Sequence, residues 1–345
     1  MARQRWIIRE GSAKRGFRYA KENGGGAVRD ARTLERIEEL AVPPAWRDVH
    51  IAASPRAMLQ AWGFDARGRK QYRYHESAVQ RREARKYYRV RRLARELPEI
   101  RATLHHDMSH AERDLDRVAA TVVRLISKGF FRIGSERYVK ENHTFGLVTL
   151  RKKHVNVHGD VLEFSFTGKG SKEQHHVVVD RALARKVKRL LRTPGKRLFR
   201  YRGGDGRWND LTAREVNDYI KRRTGFRYTA KDFRTWGGTL RVATVLADLG
   251  PPRSESEAKS NVLLAVRLSA AELGNTPAVC RSSYVHPILL ARYLDEGETI
   301  DIRAVKKSRA KSATGHYPEE RALVRFLDRH FPERRHRIRP EMRAA

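Results

Sequence analysis

Hydrophobic and polar residues alternate in three short stretches near the middle of the chain. The apolar positions of this alternation are Val155, Val157, Leu162, Phe164, Phe166, Val177 and Val179. A period of two is typical of half-buried β-strands, so we predict a small antiparallel β section with these positions on its apolar side. The turn-forming residues 167–173 then place Lys169 at the tip of a hairpin.

On both sides of this section the apolar spacing changes to three and four residues, the period of a helix with one buried face. The residues that predict the preceding helix are Leu115, Val118, Val122 and Ile126, and its end lies near Gly129. Beyond Asp180 we predict that nearly the whole chain is helical. The helix starts predicted there from capping residues and prolines are Thr212, Thr229, Thr276 and Pro318, and residues 256–273 have a helix-forming composition.

The first 85 or so residues read as strands with short helices. Residues 58–63 and 70–75 are β-compatible runs on either side of a turn-forming segment, 65–68, and therefore predict a hairpin with Tyr72 and Tyr74 on one face. The fold class is thus α+β. A small N-terminal β-sheet-containing domain spans residues 1–85, and a larger, mainly helical domain with the small antiparallel β section spans residues 86–345.

Charge points to a polyanionic partner. Of the 345 residues, 74 are Lys or Arg and 40 are Asp or Glu, which leaves a formal charge of +34. The length suggests about two domains, and 40% hydrophobic residues are enough for packed cores. Nucleic acid is the commonest partner of a folded chain with so strong a positive field, because neutralised phosphates release their counterions.

Several other classes are disfavoured. No window approaches the roughly 20 apolar residues that span a bilayer, and we find no signal peptide, so a membrane is the weaker partner. The single cysteine, Cys280, cannot form an internal disulfide, which favours a reducing, cytosolic protein. No P-loop motif is present, which argues against an ATPase. His106 and His110 have helical spacing but no third ligand nearby, so we expect no metal site.

Short motifs distributed along the chain resemble the type IB DNA topoisomerases, in particular their poxviral and bacterial branch. The segments that carry this resemblance are 43–46, 68–75, 132–134, 138–142, 146–150, 168–169, 231–235 and 275–284. Each motif is short, but their order and spacing are specific and cover most of the chain.

The resemblance implies an isomerase that relaxes supercoiled duplex DNA by nicking one strand, allowing rotation and resealing. Tyr284 stands where the family has its nucleophile, which forms a 3′-phosphotyrosine intermediate. Arg132 and Arg234 match the arginines that hold the nonbridging phosphate oxygens. Lys169 and Lys231 match the lysines that help to protonate the leaving oxygen.

Asn275 departs from the poxviral and eukaryotic pattern, which has histidine there. An amide can donate a hydrogen bond to a phosphate oxygen but carries no charge, so the role expected for Asn275 is a neutral contact.

The resemblance also implies that residues 1–85 form a DNA clamp and residues 86–345 the catalytic domain. The residues that match DNA-binding positions, or lie beside them on the same strand, are Arg69, Lys70, Gln71, Tyr72, Tyr74 and Tyr138. Ser135 replaces a lysine of the family, so an identical sequence preference is not expected. The expected protein is a cytoplasmic, nucleoid-associated monomer that acts on duplex DNA with no cofactor, neither ATP nor metal.

Two rival functions remain at this point. A tyrosine recombinase would use a similar set of Arg, Lys, Arg and Tyr, but the segment 68–75 favours a topoisomerase. A noncatalytic chromosome-coating protein would explain the positive charge equally well.

Overall fold

The computed structural model describes residues 5–22, 24–305 and 315–331. The chain divides into two compact units, Met1–Lys86 and Tyr87–Ala345. An antiparallel sheet in the first unit and a mainly helical second unit confirm the predicted α+β fold class. The roles of DNA clamp and catalytic domain stay predictions.

The N-terminal unit is built on a five-stranded antiparallel sheet. Its elements are β1 (Trp6–Ser12), β2 (Gly16–Lys21), α1 (Ala31–Glu39), β3 (Arg47–Ala52), β4 (Leu59–Phe64) and β5 (Lys70–Tyr74). The strand order β2-β1-β3-β4-β5 makes β5 an edge strand. Because β4 and β5 pair antiparallel, with Trp62 opposite Tyr72, the hairpin predicted in this region is confirmed.

One face of this sheet and one side of α1 enclose a small core. The buried core residues are Ile7, Ile37, Val49, Ile51 and Ala61. Asp30 begins α1 by accepting a hydrogen bond from the amide of Thr33 at 2.9 Å, which satisfies one of the free amides of the first turn.

Helices dominate the rest of the chain. They are α2 (Glu76–His110), α3 (Asp114–Gly129), α4 (Glu136–Asn142), α5 (Arg181–Leu190), α6 (Ala213–Thr224), α7 (Ala230–Leu249), α8 (Glu255–Leu273), α9 (Pro277–Tyr284), α10 (Pro287–Glu296) and α11 (Pro318–His330). None of these helices, in the part of the chain that the structure describes, is long and apolar enough to cross a bilayer.

Local capping signals determine several helix ends as predicted. Thr212 and Thr229 each form a capping box at the start of α6 and α7. Gly225 and Gly274 end α6 and α8 in the left-handed conformation, at φ 64° and 61°. These short-range interactions explain why the limits of the helices were readable from the sequence.

The central helix of the second unit is α3. Val118, Val122 and Ile126 are buried on it, and Leu115 packs against the same core, which confirms the predicted apolar face. The helix ends at Gly129, as expected. The preceding helix, α2, continues past Pro98 to His110, four residues before α3 begins.

The antiparallel section consists of β6 (Val155–His158), β7 (Val161–Gly168) and β8 (Lys172–Val179), in that order. The assignment of Val177 and Val179 to its apolar side is wrong, since both side chains are 66% exposed while Val178 is 4% exposed. The reason is the pairing of β8, which places Val178 opposite the buried Leu162 of β7. Partners in an antiparallel pair share a face, so Val178 points to the core.

A second small hairpin was missed. β9 (Arg200–Arg202) and β10 (Trp208–Asp210) form a two-stranded sheet within the region predicted as almost entirely helical. Each strand has three residues and carries polar side chains, so neither shows a period of two. An ion pair at 2.7 Å between Arg200 and Asp210 connects them.

The orientation of β8 can be tested with a matched pair of substitutions. Val178→Thr adds a hydroxyl to the buried face and should lower the free energy of unfolding by about 1–3 kcal/mol. Val177→Thr changes the exposed face and should stay within about 0.5 kcal/mol of the wild type. Urea unfolding followed by circular dichroism measures both values, and equal losses would contradict the observed pairing.

Candidate active site

An open cleft of about 250 Å³ lies in the second unit. Its walls contain five of the six side chains that were predicted to be catalytic: Arg132, Lys169, Lys231, Arg234 and Tyr284. The sixth, Asn275, is hydrogen-bonded to Arg132. Tyr138, a predicted DNA contact, belongs to the same walls and is 51% exposed. The fold therefore brings together residues that are far apart in the sequence.

A reversal of the chain after α3 carries Arg132 into the cleft. Phe130 follows the helix in the left-handed conformation, at φ 52°. The backbones at Gly134 and Gly146 then pass in direct contact. A Cβ on Gly134 would lie 2.9 Å from the backbone of Gly146, and a Cβ on Gly146 would lie 2.5 Å from the backbone of Gly134. Only glycine permits this approach. The carbonyl of Arg132 also accepts a hydrogen bond from the amide of Leu147 at 2.8 Å, which holds the arginine backbone in place.

Arg132 orients Asn275. Its Nη2 donates to the carbonyl of Gly274 at 2.6 Å and to Oδ1 of Asn275 at 2.5 Å. A guanidinium only donates, so the amide atom that it contacts is the oxygen. The amide nitrogen Nδ2 is buried and has no hydrogen-bond partner among the described residues. Buried polar groups are normally paired, so this donor is available to an oxygen of a ligand.

Arg234 is a buried cation at the centre of the site, with 3% exposure. Its Nη1 donates to the carbonyl of Phe130, its Nη2 donates to that of Leu273 at 2.9 Å, and its buried Nε has no partner among the described residues. Burial, opposed by Tyr284 and reinforced by the charge of Arg132, lowers the pKa of Arg234 to about 10. The guanidinium therefore keeps its charge at neutral pH.

Neither arginine forms an ion pair with a carboxylate in the described part of the chain. Burial also lowers the pKa of Arg132. Both shifts show that the folded protein does not fully compensate these positive charges. A site with two partly desolvated guanidiniums and unpaired donors is suited to a multiply charged oxyanion.

Tyr284 is the last residue of α9, and its ring lies near two cations of the site. The centroid of its ring is 5.2 Å from Cζ of Arg234 and 5.8 Å from Nζ of Lys231. The helix starts at Thr276, whose hydroxyl caps the amide of Val279 at 3.4 Å. Because α10 starts three residues after Tyr284, this tyrosine occupies a short corner between two helices.

Two adjacent glycines in α7 create room for the site. A Cβ on Gly237 would lie 2.1 Å from the ring of Phe130, and a Cβ on Gly238 would lie 2.9 Å from the carbonyl oxygen of Tyr284. Glycine in a helix interior costs about 1 kcal/mol relative to alanine. Here glycine allows α7 to approach both Phe130, whose carbonyl accepts a hydrogen bond from Arg234, and the segment that carries Tyr284.

The two lysines reach the cleft from exposed positions. Lys169 is at the tip of the β7–β8 hairpin, where Gly170 and Ser171 adopt positive φ angles of 75° and 56°. This confirms its predicted position at a hairpin tip. Lys231 is in the first turn of α7, directly after the capping box of Thr229 and one turn before Arg234. Both ammonium groups can thus move while the arginines stay fixed by backbone carbonyls.

The other predicted DNA-binding residues lie in the N-terminal unit, on or beside β5. Tyr72 and Tyr74 stack with ring centroids 6.1 Å apart and are 46% and 45% exposed, which confirms that they share a face. Lys70 places Nζ 3.6 Å from the centroid of the Trp62 ring. Asp65 accepts hydrogen bonds from Arg69 at 2.8 Å and Gln71 at 2.9 Å, which orient both side chains.

Sequence reasoning missed several residues that shape the site. Phe130, Gly237 and Gly238 have no chemical function of their own, and the one available signal was a pair of glycines within a helical pattern. Trp6, His50 and Trp62 were also missed. They form an aromatic row on the N-terminal sheet, with His50 and Trp62 stacked at 4.0 Å.

The remaining candidates from the sequence are structural. Cys280 is fully buried, and burial raises the pKa of its thiol. His106 and His110 lie side by side on α2, with ring centroids 5.1 Å apart and the rings tilted by 31°. Within residues 5–22, 24–305 and 315–331, no three His, Cys, Asp or Glu residues are grouped as ligands for a metal ion.

Comparison with known proteins gives the family. Residues 75–311 match the model for the eukaryotic DNA topoisomerase I catalytic core, and residues 16–65 match that for the bacterial DNA topoisomerase IB N-terminal domain. The chain is 30% identical to DNA topoisomerase 1B of Acanthamoeba polyphaga mimivirus over 299 residues, 85% of this chain and 88% of that one. It is 28% identical to DNA topoisomerase 1B of Vaccinia virus (strain Western Reserve) over 243 residues, 68% and 72% of the two chains.

The chain therefore belongs to the type IB DNA topoisomerases, a family of isomerases that act on DNA, and its N-terminal match is to their bacterial form. The resemblance inferred from the short motifs is confirmed.

His176 reports on the positive charge of the site. Its ring packs 4.2 Å from that of Phe131, and burial together with the charges of Arg234 and Arg132 lowers its pKa to about 4. The unfolded chain takes up a proton at this histidine near pH 6.5, before the folded chain does. Its contribution to stability is therefore complete above pH 6.5 and is lost as the pH falls towards 4.

We expect His176→Phe to reduce the pH dependence of stability between pH 6 and 5 by about 1 kcal/mol per pH unit, because roughly one proton per molecule no longer binds on unfolding. The measurement is urea unfolding at several pH values. The slope against pH is the readout, since the substitution also changes packing. An unchanged slope would contradict the assigned pKa of His176.

Proposed function

We propose that the chain relaxes supercoiled duplex DNA by transient cleavage of one strand, with Tyr284 as the nucleophile. The observation that carries this proposal is the cleft that gathers Tyr284 with Arg132, Arg234, Lys231 and Lys169. In the proposed reaction the phenol oxygen attacks a backbone phosphorus and forms a 3′-phosphotyrosine bond. The bond from phosphorus to the 5′ oxygen breaks, and that oxygen leaves as a hydroxyl.

The two arginines hold the nonbridging oxygens of the phosphate. Phosphoryl transfer depends mainly on positioning and on stabilising charge at these oxygens. Nε of Arg234 and Nδ2 of Asn275 have no hydrogen-bond partner among the residues that the structure describes, and both are donors suited to this role.

The lysines supply the proton that the leaving 5′ oxygen requires. Lys169 is at an exposed hairpin tip and Lys231 in the first turn of a helix, so either ammonium can follow the departing oxygen. The covalent link conserves the free energy of the phosphodiester bond. Resealing by the reverse reaction therefore needs neither ATP nor a metal ion. Between the two steps, torsion in the DNA drives rotation of the free end.

The N-terminal unit serves as the DNA clamp in this proposal. Its edge strand β5 exposes Tyr72 and Tyr74 beside Lys70, a combination suited to contacts with base edges and phosphates. Residues 1–85 act as the clamp and residues 86–345 as the catalytic domain of a monomer. The protein works on duplex DNA in the cytoplasm, at the nucleoid.

The two rival functions are less well supported. A tyrosine recombinase shares the catalytic chemistry, but residues 16–65 match the bacterial topoisomerase IB N-terminal domain. A protein that merely coats DNA has no need of a tyrosine beside one buried and one half-buried arginine.

Plasmid relaxation tests the proposal directly. The wild-type protein should relax supercoiled plasmid in EDTA without ATP and without a defined target site. Tyr284→Phe should bind duplex nearly as well, since it loses one oxygen, but should form no covalent adduct and relax no plasmid. Tyr317→Phe, an exposed tyrosine on another part of the unit, is the matched control and should stay active. Relaxation by Tyr284→Phe would show that another residue is the nucleophile.

The arginine roles can be tested by rates of cleavage. Arg132→Ala and Arg234→Ala should each slow formation of the adduct by about 100-fold or more, the scale of removing a preorganised donor. Arg241→Ala is the control, because Arg241 is on α7 like Arg234 but forms an ion pair with Glu272 at 2.7 Å. Gel assays of the covalent complex give the rates, and thermal melting confirms folding. A change below about threefold would refute the assigned roles.

A further inference from the structure

Thr239 connects α7 to the backbone around Tyr284. Its hydroxyl lies 3.2 Å from the carbonyl oxygen of Tyr284, and it accepts a hydrogen bond from the amide of His286 at 3.1 Å. One small side chain thus contacts the backbone on both sides of Val285, the residue that follows Tyr284.

This contact is buried and close. Thr239 and His286 have no exposed surface. Gly238, the preceding residue, would place a Cβ 2.9 Å from the carbonyl oxygen of Tyr284 and 3.2 Å from its Cβ. The glycine therefore lets α7 come near enough for the neighbouring hydroxyl to reach the corner between α9 and α10.

The ordinary role of threonine in a helix does not explain this geometry. Thr235 and Thr244 each donate to the carbonyl four residues earlier, at 3.0 and 2.9 Å, as helical threonines often do. Thr239 makes the same contact with the carbonyl of Thr235 at 2.9 Å, so its one hydroxyl proton is shared between that carbonyl and the carbonyl of Tyr284, while its oxygen accepts from the amide of His286. Among the three threonines of α7, Thr239 is the one whose hydroxyl also contacts the backbone at residues 284 and 286.

The connection matters because α7 also carries Lys231 and Arg234. A short hydroxyl bridge leaves little freedom between this helix and the backbone of Tyr284. The reacting atoms must approach to about 3–3.5 Å, and a displacement of 1 Å can cost about 100-fold in rate. A link of this kind determines where the phenol oxygen lies relative to the cations.

We propose that Thr239 is a positioning residue for the nucleophile. Its hydroxyl holds the backbone of Tyr284 against the helix that carries Lys231 and Arg234, and so keeps the tyrosine aligned with the bound phosphate. This inference rests on the proposed function of Tyr284. Thr239 itself touches no substrate atom.

Three variants separate positioning from a purely structural role. Thr239→Val keeps the shape but removes the hydroxyl, and Thr239→Ser keeps the hydroxyl. Thr244→Val removes a hydroxyl of α7 that donates to the carbonyl of Leu240 in the same helix. The measurement is the rate at which saturating protein forms the covalent complex with supercoiled plasmid, trapped by detergent. Gel shift with linear duplex measures noncovalent affinity, and thermal melting measures stability.

Thr239→Val should form the complex at least about tenfold more slowly, with duplex affinity within about twofold of the wild type. Thr239→Ser should recover a rate within about threefold of the wild type, and Thr244→Val should match it. Should the valine variant not fold, Thr239→Ala supplies the same comparison with serine. Wild-type rates for the valine or alanine variant, or failure of serine to recover the rate, would overturn the inference.

The proposed function has a separate readout in the same experiment. Absence of a wild-type complex at Tyr284 would refute the proposed nucleophile. A wild-type complex together with an equally fast Thr239→Val would refute the positioning role alone.

Discussion

The site depends on keeping an arginine charged inside the protein without a carboxylate to neutralise it. Arg234 is 3% exposed and donates hydrogen bonds to the carbonyls of Phe130 and Leu273. These neutral groups orient the guanidinium but do not neutralise its charge. Such burial is costly unless an anion arrives. Burial is the main cause of the lowered pKa of Arg234 and of His176, and the charge of Arg132 adds to both shifts. A DNA phosphate is the group that would complete the site.

The backbone of the second unit is arranged around this requirement. Gly237 and Gly238 let α7 approach two other segments, and the crossing of Gly134 with Gly146 fixes the segment of Arg132. The rigid groups are therefore the arginines and the backbone of Tyr284. The lysines remain on exposed positions, which suits their proposed role as proton donors to a leaving oxygen.

The sequence predicted the features that arise from local interactions. The capping boxes at Thr212 and Thr229 and the hairpin that carries Lys169 are determined by neighbouring residues, so they were readable. The inward face of β8 was misread because Val178 has valine on both sides, and only its pairing with Leu162 distinguishes it. The approach of Thr239 to Tyr284 joins positions far apart in the chain, and no local pattern encodes it.

The most direct test of the central claim is chemical mapping of the covalent complex. The wild-type protein is reacted with labelled duplex, denatured and digested, and the peptide that carries a nucleotide is identified by mass spectrometry together with the DNA end attached to it. The account predicts one modified residue, Tyr284, linked to a 3′ phosphate. A nucleotide on any other residue, linkage to a 5′ phosphate, or no covalent peptide at all would contradict it.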